Sequence, residues 1–129
     1  MHRLRILVVD DLPDAANSLA TLLGLIGHDA QAVYSGRSAL DKAASIAFDV
    51  VLLDIGMPDL DGYSVAMRIR ENSASKQPLL IAITGYADNA HRMRSKEAGF
   101  DDYLVKPLDP SDLLTRLSQR DAARLCNAA

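Results

Sequence analysis

Five short apolar runs recur along the chain, separated by stretches with helical periodicity. They are Ile6-Leu7-Val8-Val9, Ala30-Gln31-Ala32-Val33-Tyr34, Val50-Val51-Leu52-Leu53, Leu79-Leu80-Ile81-Ala82-Ile83 and Tyr103-Leu104-Val105. Apart from the weaker second run, they are continuous rather than alternating. That pattern predicts strands buried on both faces, as in a parallel sheet. Between the first two runs, Leu19, Leu22, Leu23 and Ile26 share one helical face, and Gly27 follows as a stop. Leu113, Leu114 and Leu117 repeat the pattern after the fifth run. Five strands alternating with five helices predict a doubly wound α/β fold with a five-stranded parallel sheet. Right-handed crossovers leave few arrangements of it.

No linker, internal repeat or low-complexity segment interrupts the series. The expectation is a single domain over residues 1–129 with its core at about 4–120. The fifth helix should end near residue 120, leaving 121–129 as the end of that helix or a tail. No separate DNA-binding or enzymatic output domain is expected in this length. A chain of 129 residues matches one domain and buries a core without staples. A net charge of −3 argues against nucleic acid as a direct partner. No apolar run approaches the roughly 20 residues that span a bilayer, so membrane insertion is not expected. The N-terminus lacks the apolar core of a signal peptide. The single cysteine, Cys126, cannot close an internal disulfide and fits a reducing, cytoplasmic setting. His2, His28 and His91 are read as surface residues with no metal role.

In open α/β sheets, ligands bind beyond the carboxyl ends of the strands. The first strand is followed by Asp10 and Asp11, and the third ends in Asp54. Thr84 and Gly85 follow the fourth, and Lys106 and Pro107 follow the fifth. The second ends in Tyr34-Ser35-Gly36, which carries no charge. Each residue has a plain structural reading. Asp10 or Asp11 could cap the next helix, with Pro13 in its first turn. Asp54 could open the turn Gly56-Met57-Pro58-Asp59. Thr84 could be a turn hydroxyl and Lys106 a solvated charge. Independent causes of that kind would not gather all of them at one sheet edge. Crowded carboxylates repel, and a hard cation such as Mg2+ relieves them. A carboxylate can itself attack phosphorus to give an aspartyl phosphate, with Lys106 and Thr84 able to stabilise the transferred group. Asp61 is expected to cap the third helix, which Gly62 and Tyr63 open.

The segments Val8-Val9-Asp10-Asp11, Leu53-Asp54-Ile55-Gly56-Met57-Pro58, Asp61-Gly62, Ile83-Thr84-Gly85 and Tyr103-Leu104-Val105-Lys106-Pro107 occur in this order. Together they resemble the receiver domain family of bacterial response regulators, over residues 4 to about 120. The resemblance implies a flavodoxin-like (βα)5 fold with strand order 2-1-3-4-5. It implies that Asp54 accepts a phosphoryl group from a histidine kinase or a histidine phosphotransfer protein. It also implies Mg2+ held directly by Asp11, Asp54 and the Gly56 carbonyl, with Asp10 acting mainly through a water. Lys106 would pair with the phosphoryl group, Thr84 would move toward it, and Tyr103 would rotate inward. That shift would alter the face of the fourth helix, fifth strand and fifth helix, a surface for homodimers or partners. The Lys106-Pro107 bond is often cis in this family. Gly56 and Tyr86 flank the approach of water, so they would set the phosphoryl lifetime.

Such a domain phosphorylates and dephosphorylates only itself. A phosphohydrolase of the dehalogenase type would need an acid two residues after Asp54, where this chain has Gly56. A nucleotide-binding flavodoxin-like module would need phosphate donors after the first strand, where Asp10-Asp11-Leu12-Pro13-Asp14 would repel a phosphate. A pseudo-receiver that signals by binding alone remains open. The stretch Ile83-Thr84-Gly85-Tyr86 followed by the segment from Ala98 to Pro107 is similar to receivers attached to hybrid sensor kinases, with a stand-alone regulator the other context.

Overall fold

A computed structural model describes residues 3–58, 60–72, 77–85 and 88–127, with residues 119–127 described by backbone alone. His2 and Tyr86 lie outside the described residues, as does the side chain of Cys126. The elements run β1 (Arg5–Val9), α1 (Pro13–Leu25), β2 (Asp29–Val33), α2 (Gly36–Ser45) and β3 (Val50–Asp54), then α3 (Gly62–Asn72), β4 (Leu79–Thr84), α4 (Asn89–Ala98), β5 (Asp102–Val105) and α5 (Pro110–Asn127). The five strands form one parallel sheet in the order β2-β1-β3-β4-β5, the flavodoxin-like arrangement. Strand order reverses between β1 and β3, so their carboxyl ends border a crevice.

The continuous apolar runs are explained by two cores on opposite faces of the sheet. Leu7, Val9, Val51, Leu53, Leu80 and Ala82 point to one side, with Ala39, Val65, Ala66, Ile69 and Ala98 from α2, α3 and α4. Ile6, Val8, Val50, Leu52, Ile81, Ile83 and Leu104 point to the other, with Ala16, Leu23, Leu113 and Leu117 from α1 and α5. Every residue of β3 and β4 is buried. The edge strand β2 is half-buried along most of its length, which is why its run reads as weak.

Three expectations need correction. Strand β2 runs from Asp29 to Val33, a residue earlier than its apolar run, and β5 begins a residue early, at Asp102, while ending with its run at Val105. Helix α5 continues past residue 120 to Asn127, because Asp121-Ala122-Ala123-Arg124-Leu125-Cys126 contains no glycine or proline to stop it. His28 is buried rather than on the surface, with 8% of it exposed. Its Nδ1 accepts the Leu4 N–H at 3.1 Å, so a backbone donor at the lower end of β1 draws the ring in. His91 is half-buried near the start of α4.

Candidate functional site

Sheet register assembles the site. Val9 pairs with Leu53, so the residues that follow, Asp10 and Asp54, meet at one edge. Asp54 pairs with Ile83 and Thr84 with Val105, which brings Thr84 and then Lys106 to the same edge. Oxygens of Asp10, Asp11 and Asp54 all lie within 4.8 Å of one another. Lys106 Nζ sits 3.1 Å from Asp54 Oδ2 and 3.6 Å from Asp10 Oδ2. Asp10, Asp54 and Thr84 are buried, whereas Asp11 is half-buried at the mouth. All five charged or hydroxyl residues expected at the strand ends are therefore brought together.

Neither aspartate of the first loop caps α1. Its N-cap is Leu12, which makes no side-chain cap bond, and Pro13 fills the first helical turn. Asp10 Oδ1 instead accepts the Leu12 N–H at 3.0 Å, which folds the loop back on the site. Asp54 Oδ1 accepts the Gly56 N–H at 3.0 Å. One oxygen of Asp54 is thus oriented by backbone and the other by Lys106. The Lys106-Pro107 bond is cis.

Burial raises the Asp10 carboxyl above the usual carboxylate range; the Leu12 N–H opposes this, Asp54 and Asp11 add to it, and Lys106 relieves part of it. Burial also pulls the Lys106 ammonium down, but its hydrogen bond and charge contact with Asp54, helped by Asp10, outweigh that and hold it above the ordinary lysine range. An all-oxygen cluster with one strained acid and an adjacent ammonium is matched to a hard cation and a further anionic group.

Thr84 hydrogen-bonds Tyr103, whose ring packs against the core on the α2–α4 side of the sheet. The Arg92 guanidinium stands over that ring, 5.2 Å from its centroid. Burial raises the Tyr103 phenol, and the bond to Thr84 partly offsets it. The two residues expected to switch are therefore in direct contact, with the tyrosine half-buried.

Two contributors escaped the sequence. Gly62, read there as part of a helix start, lies against the backbone of the site. A Cβ on it would meet Ile55 Cα at 2.6 Å and Asp54 O at 2.9 Å. Arg92 gives no sequence signal at all, because its role depends on a ring 11 residues away. Asp61 does cap α3 as expected, its Oδ1 accepting the Ser64 N–H at 2.9 Å.

The sequence pattern of the response regulator receiver domain matches residues 6–118. The chain belongs to that family. Receiver domains are signal-transduction modules of two-component systems. A similar sequence is the probable transcriptional regulator ycf27 of Guillardia theta, 39% identical over 113 residues, covering 88% of this chain and 43% of that protein. This receiver domain spans half or less of the length of these sequence relatives. Among solved structures, the Vibrio cholerae chemotaxis protein CheY4 superposes with a TM-score of 0.85 at 28% identity, covering 92% of this chain and 98% of that one. The receiver domain of the sensor histidine kinase PA1611 from Pseudomonas aeruginosa PAO1 superposes with a TM-score of 0.80 at 32% identity, covering 92% and 97%. In that structure a magnesium ion is coordinated in the active-site cleft. Among the described residues of the present receiver, no helix is long and apolar enough to cross a membrane.

Proposed function

We propose that this receiver accepts a phosphoryl group on Asp54 from a phosphohistidine of a histidine kinase or a histidine phosphotransfer protein. The observation that carries the reading is the contact of Lys106 with Asp54 inside the carboxylate cluster. The Asp54 carboxylate attacks phosphorus, an O–P bond forms, and the N–P bond breaks with its electron pair left on the imidazole. Lys106 releases Asp54 Oδ2 and follows the negative charge onto the phosphoryl oxygens. Gly56 N–H keeps the other oxygen, Asp54 Oδ1, in place during attack.

Asp10, Asp11, Asp54 and the carbonyl of Gly56 would hold Mg2+, as the cleft of the PA1611 receiver holds its ion. Bound there, Mg2+ supplies charge neutralisation for the clustered carboxylates and the incoming phosphoryl oxygens. Thr84 then turns its hydroxyl toward the new group and gives up Tyr103, which biases the face made by α4, β5 and α5. That face is the proposed surface for a homodimer or an output partner, whether the host is a regulator or a sensor kinase. The chemistry is limited to self-phosphorylation and self-dephosphorylation, and its setting is cytoplasmic.

Incubation with acetyl phosphate and Mg2+, followed by intact-mass measurement, tests this. Wild type gains one phosphoryl group, and Asp54→Asn or an excess of EDTA prevents the gain. An unmodified wild type would leave a module that signals by binding alone, and a modified Asp54→Asn would move the acceptor elsewhere.

A further inference from the structure

The loop between β3 and α3 carries Gly56, and it is pinned on both sides of that residue. Ile55 and Met57 are buried in the core on the α2–α4 side of the sheet, whereas Gly56 and Pro58 face outward. Leu60 is partly buried and packs against the same core. The loop thus alternates inward and outward, as a strand does, and burial of its inward side chains fixes where Gly56 stands.

Hydrogen bonds close the base of the loop. The Ile55 N–H donates to Ile83 O at 3.2 Å, and the Gly62 N–H donates to Ile55 O at 3.1 Å. The Gly56 N–H is itself held by Asp54 Oδ1. Gly62 already lies against the backbone of Asp54 and Ile55, so the α3 end of the loop has no slack toward β3.

The far side of the loop meets α2. Gly36 is the first residue of that helix and is buried. A Cβ on it would meet Leu60 Cβ and Val65 Cγ2 at 2.9 Å and Leu60 O at 3.0 Å. Its φ is not positive, so the backbone conformation does not call for glycine. Helix propensity even favours alanine over glycine. Space alone accounts for the glycine: α2 and the loop at Leu60 approach too closely for a methyl group between them. The start of α2 is in turn fixed by its N-cap, Ser35, whose Oγ accepts the Ser38 N–H.

We propose that Gly36 is a positioning residue for the cation site, although α2 supplies none of the proposed ligands. By letting α2 close on Leu60, it sets the depth of the loop and hence the place at which Gly56 is presented beside Asp54. A side chain at residue 36 pushes Leu60 away, and Gly56 moves with the loop. Gly36 and Gly62 therefore grip the loop from two elements, α2 and α3, and the cation affinity depends on both. This role rests on the Mg2+ reading of the acid cluster; the close contact of Gly36 with Leu60 does not.

Isothermal titration with Mg2+ and urea denaturation in EDTA, both on the whole chain, test this. Gly36→Ala weakens Mg2+ binding about tenfold, the usual scale for a group that orients a metal ligand. Ser35→Ala loosens the same helix end without adding bulk against Leu60. It lowers the urea midpoint but leaves Mg2+ affinity unchanged, because a variant that has only lost stability still binds as wild type does while folded. Leu60→Gly removes the β-carbon that the new methyl would meet. In that background Gly36→Ala changes Mg2+ affinity by less than about threefold, the non-additivity expected of residues in contact. That pair of variants decides the matter even if Gly36→Ala alone does not fold. Unchanged affinity in a folded Gly36→Ala, an equal loss in both backgrounds, or a matching loss in Ser35→Ala overturns the positioning role alone. A wild type that binds no Mg2+ overturns the cation reading, and the positioning role falls with it.

Discussion

Two glycines near Asp54 illustrate how differently the same residue type can be constrained. Gly62 faces backbone: a methyl group on it would press on Ile55 Cα and Asp54 O at 2.6 and 2.9 Å, and neither can swing aside as a side chain would. Gly56 faces open space, where a Cβ would meet only Asp54 Oδ1 at 3.8 Å, an ordinary contact. Gly62→Ala should therefore lower stability by about 1–3 kcal/mol, the usual effect of overpacking. Gly56→Ala should change it by less than about 0.5 kcal/mol. Urea denaturation of both variants checks the pair, and equal midpoints would refute the steric account. Gly56→Ala would instead shade the Asp54 carboxylate, so its effect belongs in the lifetime of the phosphorylated form. Sequence alone paired Asp61 with Gly62 as the start of a helix. It could not show that Gly62 also lies against the backbone at the end of β3, because that approach is set by how α3 packs under β3.

At the scale of elements, legibility followed burial. The runs that became β1, β3 and β4 were plain because both faces of these strands meet a core, so nearly every position is apolar, the exceptions being Arg5, Asp54 and Thr84 at their ends. Strand β2 was faint because it forms an edge. Helix α4 gave almost no periodic signal, because arginine stacks and a capped turn hold it where an apolar stripe ordinarily would. The helix boundaries depended on local chemistry. Ser35 is an example: it ends the uncharged stretch after β2 and serves as the N-cap of α2, its Oγ accepting the Ser38 N–H at 3.1 Å. Ser35→Ala should cost about 1 kcal/mol, while Ser35→Asp, which keeps an acceptor at the cap, should cost little. A thermal or urea melt distinguishes them. A loss of equal size in both would place the importance of Ser35 in its contact with Ser38 Oγ rather than in the cap.

For the whole molecule, the site is a place where folding works against itself. The parallel alternation of strands and helices delivers every strand's carboxyl end to one edge, which is why Asp10, Asp54, Thr84 and Lys106 group together from the sequence alone. What could not be read was the balance of energies there, since it depends on burial. Asp10 sits in a crevice beside two other acids with one ammonium to offset them, and its carboxyl is raised above its ordinary value of 3.8. A raised folded value means the native state holds that proton more tightly than the unfolded chain does. Its contribution to stability is therefore full below about pH 3.8 and is lost as pH rises through the folded value. Once ionised, Asp10 is a cost to the fold, one that a bound cation would offset. Asp10→Asn keeps an oxygen for the Leu12 N–H and removes the charge. In EDTA at pH 7 this variant should melt higher than wild type, and the advantage should vanish near pH 3.8, where wild-type Asp10 is itself protonated. Mg2+ should reverse the order. At ten times its dissociation constant, a ligand bound only by the native state adds about 1.4 kcal/mol. Wild type would receive that in full, and the variant, with one acid fewer, would receive less. If Asp10→Asn is instead the less stable protein in EDTA at pH 7, the pairing of Asp10 with Lys106 outweighs its burial, and the acids at this edge stabilise the fold without a metal.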